Sequence, residues 1–248
     1  MSAPTTPMLR TRTSTLVGGD GPLAIYEAAP AEAAQSAVII VHEAFGITDH
    51  IADVTRRAAN AGLHAVAPDF FHRAPAGVAA YGDLQAAALN FGGLSDEGIL
   101  ADLDATLTHL ESKGFTSDRI GVIGFCFGGR VAFLLAAKRK IGAAATLYGG
   151  GISVASTFLP FPALTDSIAS MQTPWLGMYG EADMGVPQEE VDLLEQAMAA
   201  DASVEYKMIR YPDAGHAFHN DTLPSYNEKA AKAAWSEALD WLSAHGVN

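Results

Sequence analysis

The chain holds one cysteine in 248 residues, and its surroundings are chemically suggestive. Cys126 lies in Gly124-Phe125-Cys126-Phe127-Gly128-Gly129, between the apolar run Ile120 to Phe125 and an apolar helical segment, Val131 to Ala137. A strand that turns at once into a helix brings its backbones so close that side chains at positions 124 and 128 would collide, hence glycine at both. The residue between them is thrust out above the sheet. A thiol there meets the positive end of a helix dipole, which favours its nucleophilic anion. Two other readings fit a lone cysteine on a glycine-rich turn: a small buried hydrophobe, or a turn that cradles phosphate. Partners elsewhere in the chain decide between them.

An acid and a base follow in the order that acyl transfer on such a turn requires. The apolar run Trp175 to Tyr179 ends in Gly180-Glu181-Ala182-Asp183. Asp183 is the candidate acid, accepting an imidazole N–H and stabilising the imidazolium. Glu181, Asp213 and Asp221 are rivals with poorer positions, and Asp183 also suits a turn or helix cap. The run Val204 to Tyr211 leads into Pro212-Asp213-Ala214-Gly215-His216-Ala217-Phe218. His216, on a tight loop after the last strand, is the candidate base. His219 reads as a solvent-facing neighbour, and His64 and His109 as strand or helix residues without partners. No histidine spacing resembles a zinc motif, so neither metal nor cofactor is expected.

The elements that must position these residues alternate. Ala37 to Val41, Leu63 to Ala67, Ile120 to Gly124, Ala143 to Tyr148, Trp175 to Tyr179 and Val204 to Tyr211 are short apolar runs suited to strands covered on both faces. Helical spacing appears between them at Ile51, Val54 and Ala58, and again at Ile99, Leu103, Leu107 and Leu110. Pro187 followed by Gln188, Glu189 and Glu190 marks a helix start, and Trp235, Leu239 and Leu242 share a stripe in a closing helix from Ser225. Leu16-Val17 and Leu23 to Tyr26, around Gly18-Gly19-Asp20-Gly21, predict a hairpin at a sheet edge. The alternation predicts a mostly parallel, doubly wound sheet covered by helices on both faces, and the strand–turn–helix at Cys126 with an acid and a histidine following in order points to an α/β-hydrolase fold. Residues 1–14 read as a flexible tail and residues 15–248 as a single domain.

Composition narrows the partners. Hydrophobic residues make up 49% and charged residues 17%, the balance of a packed globule. The formal net charge of −13 argues against nucleic acid and repels anionic substrates at long range. No run is long enough for a membrane span, and the first residues lack the apolar block of a secretory signal, so a cytoplasmic enzyme is expected. The partner is a small molecule, with neither nucleic acid nor membrane; the oligomeric state is not written in the sequence.

From about Val38 to the final helix, the chain resembles the dienelactone hydrolase (carboxymethylenebutenolidase) family. The residues that carry the resemblance are Val41-His42-Glu43-Ala44-Phe45-Gly46, Ala67-Pro68-Asp69-Phe70-Phe71-His72-Arg73, the Cys126 turn and Ala214-Gly215-His216-Ala217-Phe218. The resemblance implies a cysteine nucleophile, with Glu43 holding the resting thiol and taking its proton when substrate arrives. It implies an oxyanion hole from the N–H groups of Ala44 and Phe127, and a substrate carboxylate bound by Arg73. Tyr81 and Tyr148 are candidate pocket residues. Two positions depart from the family pattern: Asn220 stands where the family has a second carboxylate-binding arginine, and Ala217 where the defining enzyme has serine.

The expected chemistry is hydrolysis of an ester or lactone. The alternatives are a carboxylesterase or thioesterase acting on a substrate without a carboxylate, and a non-catalytic redox or ligand-binding protein using Cys126 as a reactive thiol.

Overall fold

The computed structural model describes residues 9–19, 21–74, 77–156 and 158–248; residues 1–8 of the expected tail and Asp20 of the expected hairpin turn lie outside them. The apolar runs form β3 (Ala37–Val41), β4 (His64–Pro68), β5 (Ile120–Phe125), β6 (Ala143–Leu147), β7 (Trp175–Gly180) and β8 (Tyr206–Tyr211). With β1 (Arg10–Gly18) and β2 (Gly21–Ala29) they build one eight-stranded sheet in the order β1-β2-β4-β3-β5-β6-β7-β8. Strands β3 to β8 pair in parallel, and β1 and β2 add an antiparallel hairpin at one edge. This is the predicted α/β-hydrolase architecture.

The expected boundary of the tail needs correction. Strand β1 starts at Arg10, and residues from Arg10 to Ser14 pair with residues from Ala29 to Ile25. An edge strand open to water can be held by its ladder without an apolar pattern, and charged side chains there discourage further strand addition.

Alternation sorts the sheet's side chains to two helical layers. Val38 and Ile40 of β3 pack with Ile51 and Val54 of α1 (Asp49–Asn60) and Leu242 of α6 (Glu228–Ala244). Ile39 and Val41 face the other way, into a core shared with α3 (Asp96–Ser112), α4 (Phe127–Lys138) and α5 (Gln188–Asp201). Strands β3, β5, β6 and β7 are buried along their whole length, which is why their sequences are continuously apolar. A short helix, α2 (Leu84–Phe91), lies in what the sequence presents as a loop. Its N-cap is Asp83, whose carboxylate accepts the Ala86 N–H at 3.0 Å.

Candidate active site

The sheet register brings the ends of separate strands to one edge: Val41 lies beside Gly124, Phe125 beside Leu147, Leu147 beside Met178, and Gly180 beside Tyr211. The segments carrying Glu43, Cys126, Tyr148, Asp183 and His216 all leave the sheet there, where doubly wound folds bind ligands.

The turn at Cys126 is as tight as its glycines imply. A Cβ on Gly124 would lie 1.9 Å from the Gly128 carbonyl oxygen, and one on Gly128 would lie 2.3 Å from that of Val41. Cys126 itself has φ 55° and ψ −115°, in a region that side chains disfavour. The other non-glycine residues with positive φ among those described are Tyr148, Asp213 and Ala217. All of these stand at strand ends or loops around the same site, where backbone strain commonly gathers.

The imidazole of His216 bridges the sulfur and the acid. Its Nε2 is 3.2 Å from Sγ of Cys126, and its Nδ1 is 2.9 Å from Oδ2 of Asp183. Asp183 is buried and fixed from behind by the N–H groups of Gly185 and Val186, at 2.7 and 2.9 Å from Oδ1. Because a carboxylate only accepts, the Nδ1 proton points at Asp183 and Nε2 is left to exchange a proton with sulfur. Burial opposes the imidazolium, yet Cys126 and Asp183 together hold the His216 pKa well above the ordinary histidine value. Gly185 packs against the ring, with its Cβ position 3.1 Å from Nδ1. None of the rival acids hydrogen-bonds His216: Glu181 and Asp213 are exposed, and Asp221 pairs with Arg57 and His50.

Cys126 and His216 border a cavity of about 260 Å³. Its walls include Phe45, Leu84, Phe158, Leu159 and Val186, and among the described residues no acid, lysine or arginine lines it. A larger cleft of about 400 Å³ lies at the β1–β2 edge among Arg10, Arg12 and Lys113, and does not include Cys126. Ala44 lines the cavity over the sulfur. Phe127 is the first residue of α4, where a backbone N–H has no acceptor within the helix; its ring turns into the core, stacked on Phe71 and Phe161.

Glu43 is buried and its carboxylate accepts from three neutral donors: Tyr81 Oη at 2.8 Å, Asn220 Nδ2 at 3.2 Å and Tyr148 Oη at 3.4 Å. No hydrogen bond joins Glu43 to Cys126 among the described residues, although the resemblance implies one in the resting state. Tyr81 and Tyr148 thus serve Glu43, and neither lines the cavity. Burial and the nearby Glu43 charge push both phenols up, so their protons stay in place.

Several other expectations are corrected. Arg73 does not face the cavity; its guanidinium forms a two-pronged pair with the buried Asp102 at 2.8 and 2.9 Å, and His72 Nε2 joins the same carboxylate at 3.1 Å. His219 is not solvent-facing but buried against Phe125, Trp235 and His50, and burial, with the His50 and Arg57 charges, pushes its pKa down to about 3. His64 and His109 both have a partner, Glu27, at 3.1 and 2.9 Å. Sequence reading missed the cavity walls at Phe158 and Val186, which carry no motif, and gave Phe45 no role although it lies in the Val41 to Gly46 motif; Asn220 did carry a signal, as a departure from the family pattern.

Comparison with known proteins identifies the family. A family model described as the dienelactone hydrolase family matches residues 23–246. A Yersinia pestis protein described as a "Putative carboxymethylenebutenolidase" is 36% identical over 85% of this chain and 79% of its own length. An Escherichia coli K12 protein with the same description is 37% identical over 84% of this chain and 77% of its own. The crystal structure of a "Putative Dienelactone Hydrolase" from Klebsiella pneumoniae superposes with a TM-score of 0.87 at 30% identity, covering 95% of this chain and 99% of that one. With the match spanning nearly the whole fold and the site built at the edge where such folds bind ligands, the chain belongs to the dienelactone hydrolase family of α/β-hydrolases.

Proposed function

We propose that the chain hydrolyses esters or lactones with a compact, uncharged acyl group, through a thioester on Cys126. The observation that carries this reading is the contact of His216 Nε2 with the sulfur at 3.2 Å, with Nδ1 held by Asp183, beside an apolar cavity. The thiolate attacks the carbonyl carbon, and the N–H groups of Ala44 and Phe127 stabilise the oxyanion. Collapse expels the alcohol, protonated by the His216 imidazolium, and leaves the acyl group on sulfur. His216, neutral again, takes a proton from water, which attacks the thioester and frees the acid. In a lactone the alcohol remains tethered to the acyl chain.

An acyl group without a carboxylate is favoured over an anionic dienelactone by a specific observation. Arg73 is committed to Asp102, Asn220 to Glu43, and among the described residues no lysine or arginine lines the cavity. Turnover of p-nitrophenyl butyrate by wild type and Cys126→Ala tests the chemistry, and the variant is expected to lose at least about 10³-fold. A variant that keeps its rate excludes the thioester. Assaying a neutral lactone beside one bearing a carboxylate tests the substrate class; a preference for the anion by about tenfold or more overturns it.

A further inference from the structure

We propose that Arg130 is a positioning residue that determines specificity: from the helix that starts beside Cys126 it fixes one wall of the cavity, and so sets how long an acyl chain the site accepts. The inference rests on the reading of the cavity as an acyl site and adds the group that gauges its depth.

One wall of the cavity has no regular structure. Gly150, Ser156, Phe158 and Leu159 line it from the segment after β6, described over residues 149–156 and 158–164, which contains neither helix nor strand. A buried cation holds this stretch. Arg130 is fully buried, and its Nε donates to the Gly151 carbonyl at 3.2 Å while Nη2 donates to the Pro162 carbonyl at 2.7 Å. The grip therefore falls on both sides of Phe158 and Leu159. The guanidinium lies over the Phe161 ring, 4.7 Å from its centroid, and meets the two carboxylate oxygens of Asp96, at the start of α3, at 2.6 and 3.0 Å. Glu190 of α5 accepts the Gly151 N–H at 2.7 Å, so that peptide is held from both faces. A buried ion pair is a weak source of net stability, because desolvation offsets the attraction. What a planar guanidinium supplies is direction, and a lysine ammonium cannot reproduce its fork.

The anchor shares its helix with the nucleophile. Arg130 follows Cys126 by four residues, and its backbone N–H donates to the Cys126 carbonyl at 3.3 Å. One helical turn thus carries the sulfur that attacks and the cation that locates the wall. The contact is close: a Cβ on Gly151 would lie 3.6 Å from Cδ of Arg130 and 3.7 Å from Cδ1 of Leu159. Without the grip the wall can recede, which admits longer chains and loosens the fit of short ones.

The test is the ratio of kcat/KM for p-nitrophenyl butyrate to that for p-nitrophenyl octanoate, measured on one enzyme sample so that the folded fraction cancels. Arg130→Met should lower the ratio at least about fivefold, with KM for butyrate raised more than kcat is changed. Arg130→Lys, which keeps the charge but not the fork, should also fall at least about threefold below wild type. A role in stability alone lowers the melting temperature and leaves the ratio where it was; an unchanged ratio in folded Arg130→Met overturns the proposal. Should that variant not fold, Asp96→Asn loosens the same clamp from its partly exposed end and should lower the ratio at least about twofold, an unchanged ratio again refuting the idea. Failure of the thioester reading shows separately, as turnover retained by Cys126→Ala.

Discussion

Two glutamates, each 2% exposed, are held in opposite ways. Glu27, in β2 at the sheet edge, is ringed by cations and imidazoles: Arg12, Lys113 at 3.5 Å, His64 and His109. Glu43, at the end of the sheet where the cavity opens, accepts hydrogen bonds from two phenols and an amide among the described residues. Charge against charge makes a tie whose worth depends on ionisation, and such a pair is costly to break. Neutral donors fix a carboxylate by direction and bring no countercharge to it. The edge is organised for cohesion, and the cavity end for geometry at the expense of strain.

The contrast can be attacked from the cavity end first. Gly124→Ala places a Cβ 1.9 Å from a backbone oxygen, and we expect a loss above about 4 kcal/mol in denaturant unfolding, with ester turnover gone. A well-folded, active variant would mean that the turn tolerates a side chain. At the edge, Glu27→Gln should cost about 3 kcal/mol while kcat stays within about twofold. Despite the opposing effect of burial, hydrogen bonds from His64, Arg12 and His109 and the charge of Lys113 hold the Glu27 pKa below the usual carboxylate range. Its stabilisation is therefore complete above the unfolded-state carboxylate value and is lost as pH falls through the lower folded one. Thermal melts from neutral to strongly acidic pH should show wild type losing more stability than Glu27→Gln. Equal slopes would remove the electrostatic account of the edge.

A smaller effect sharpens the description of the cavity. Phe158→Ser removes apolar wall and should lower kcat/KM for p-nitrophenyl butyrate by roughly fivefold, about 1 kcal/mol, with the acetate ester less affected. Equal losses on both esters would mean that the acyl chain does not reach this wall. The smallest effect concerns strain. Asp213 is exposed with φ 59°, and Asp213→Gly should gain about 0.5 kcal/mol in unfolding experiments, the relief of a left-handed backbone less the added entropy of the unfolded chain. A loss instead would mean that the Asp213 side chain contributes more than its backbone costs.

What was legible in the sequence follows from which features are local. The buried strands β3 to β7 announce themselves because both faces must be apolar, and the turn at Cys126 because its glycines answer a clash between neighbouring backbones. The first half of β1 is silent, since a solvent-facing edge needs no pattern. Arg73 was misassigned because Asp102, its partner, lies on the far side of two intervening loops and a helix in the chain. For His219 and for the two imidazoles on Glu27, burial and pairing arise only when α6, or β2 and α3, close over them. That Asp183 and His216 come together was readable from their chain order and strand-end positions.

Having a single thiol, set beside His216 at the border of the cavity, carries a consequence for the protein's life outside the assay. Peroxide would convert Cys126 to a sulfenic acid, and no second cysteine exists in the chain to trap that species as an internal disulfide. Recovery then depends on small-molecule thiols entering a greasy cleft before further, irreversible oxygen addition. The same solitude makes the protein easy to count: one equivalent of label reports one intact centre.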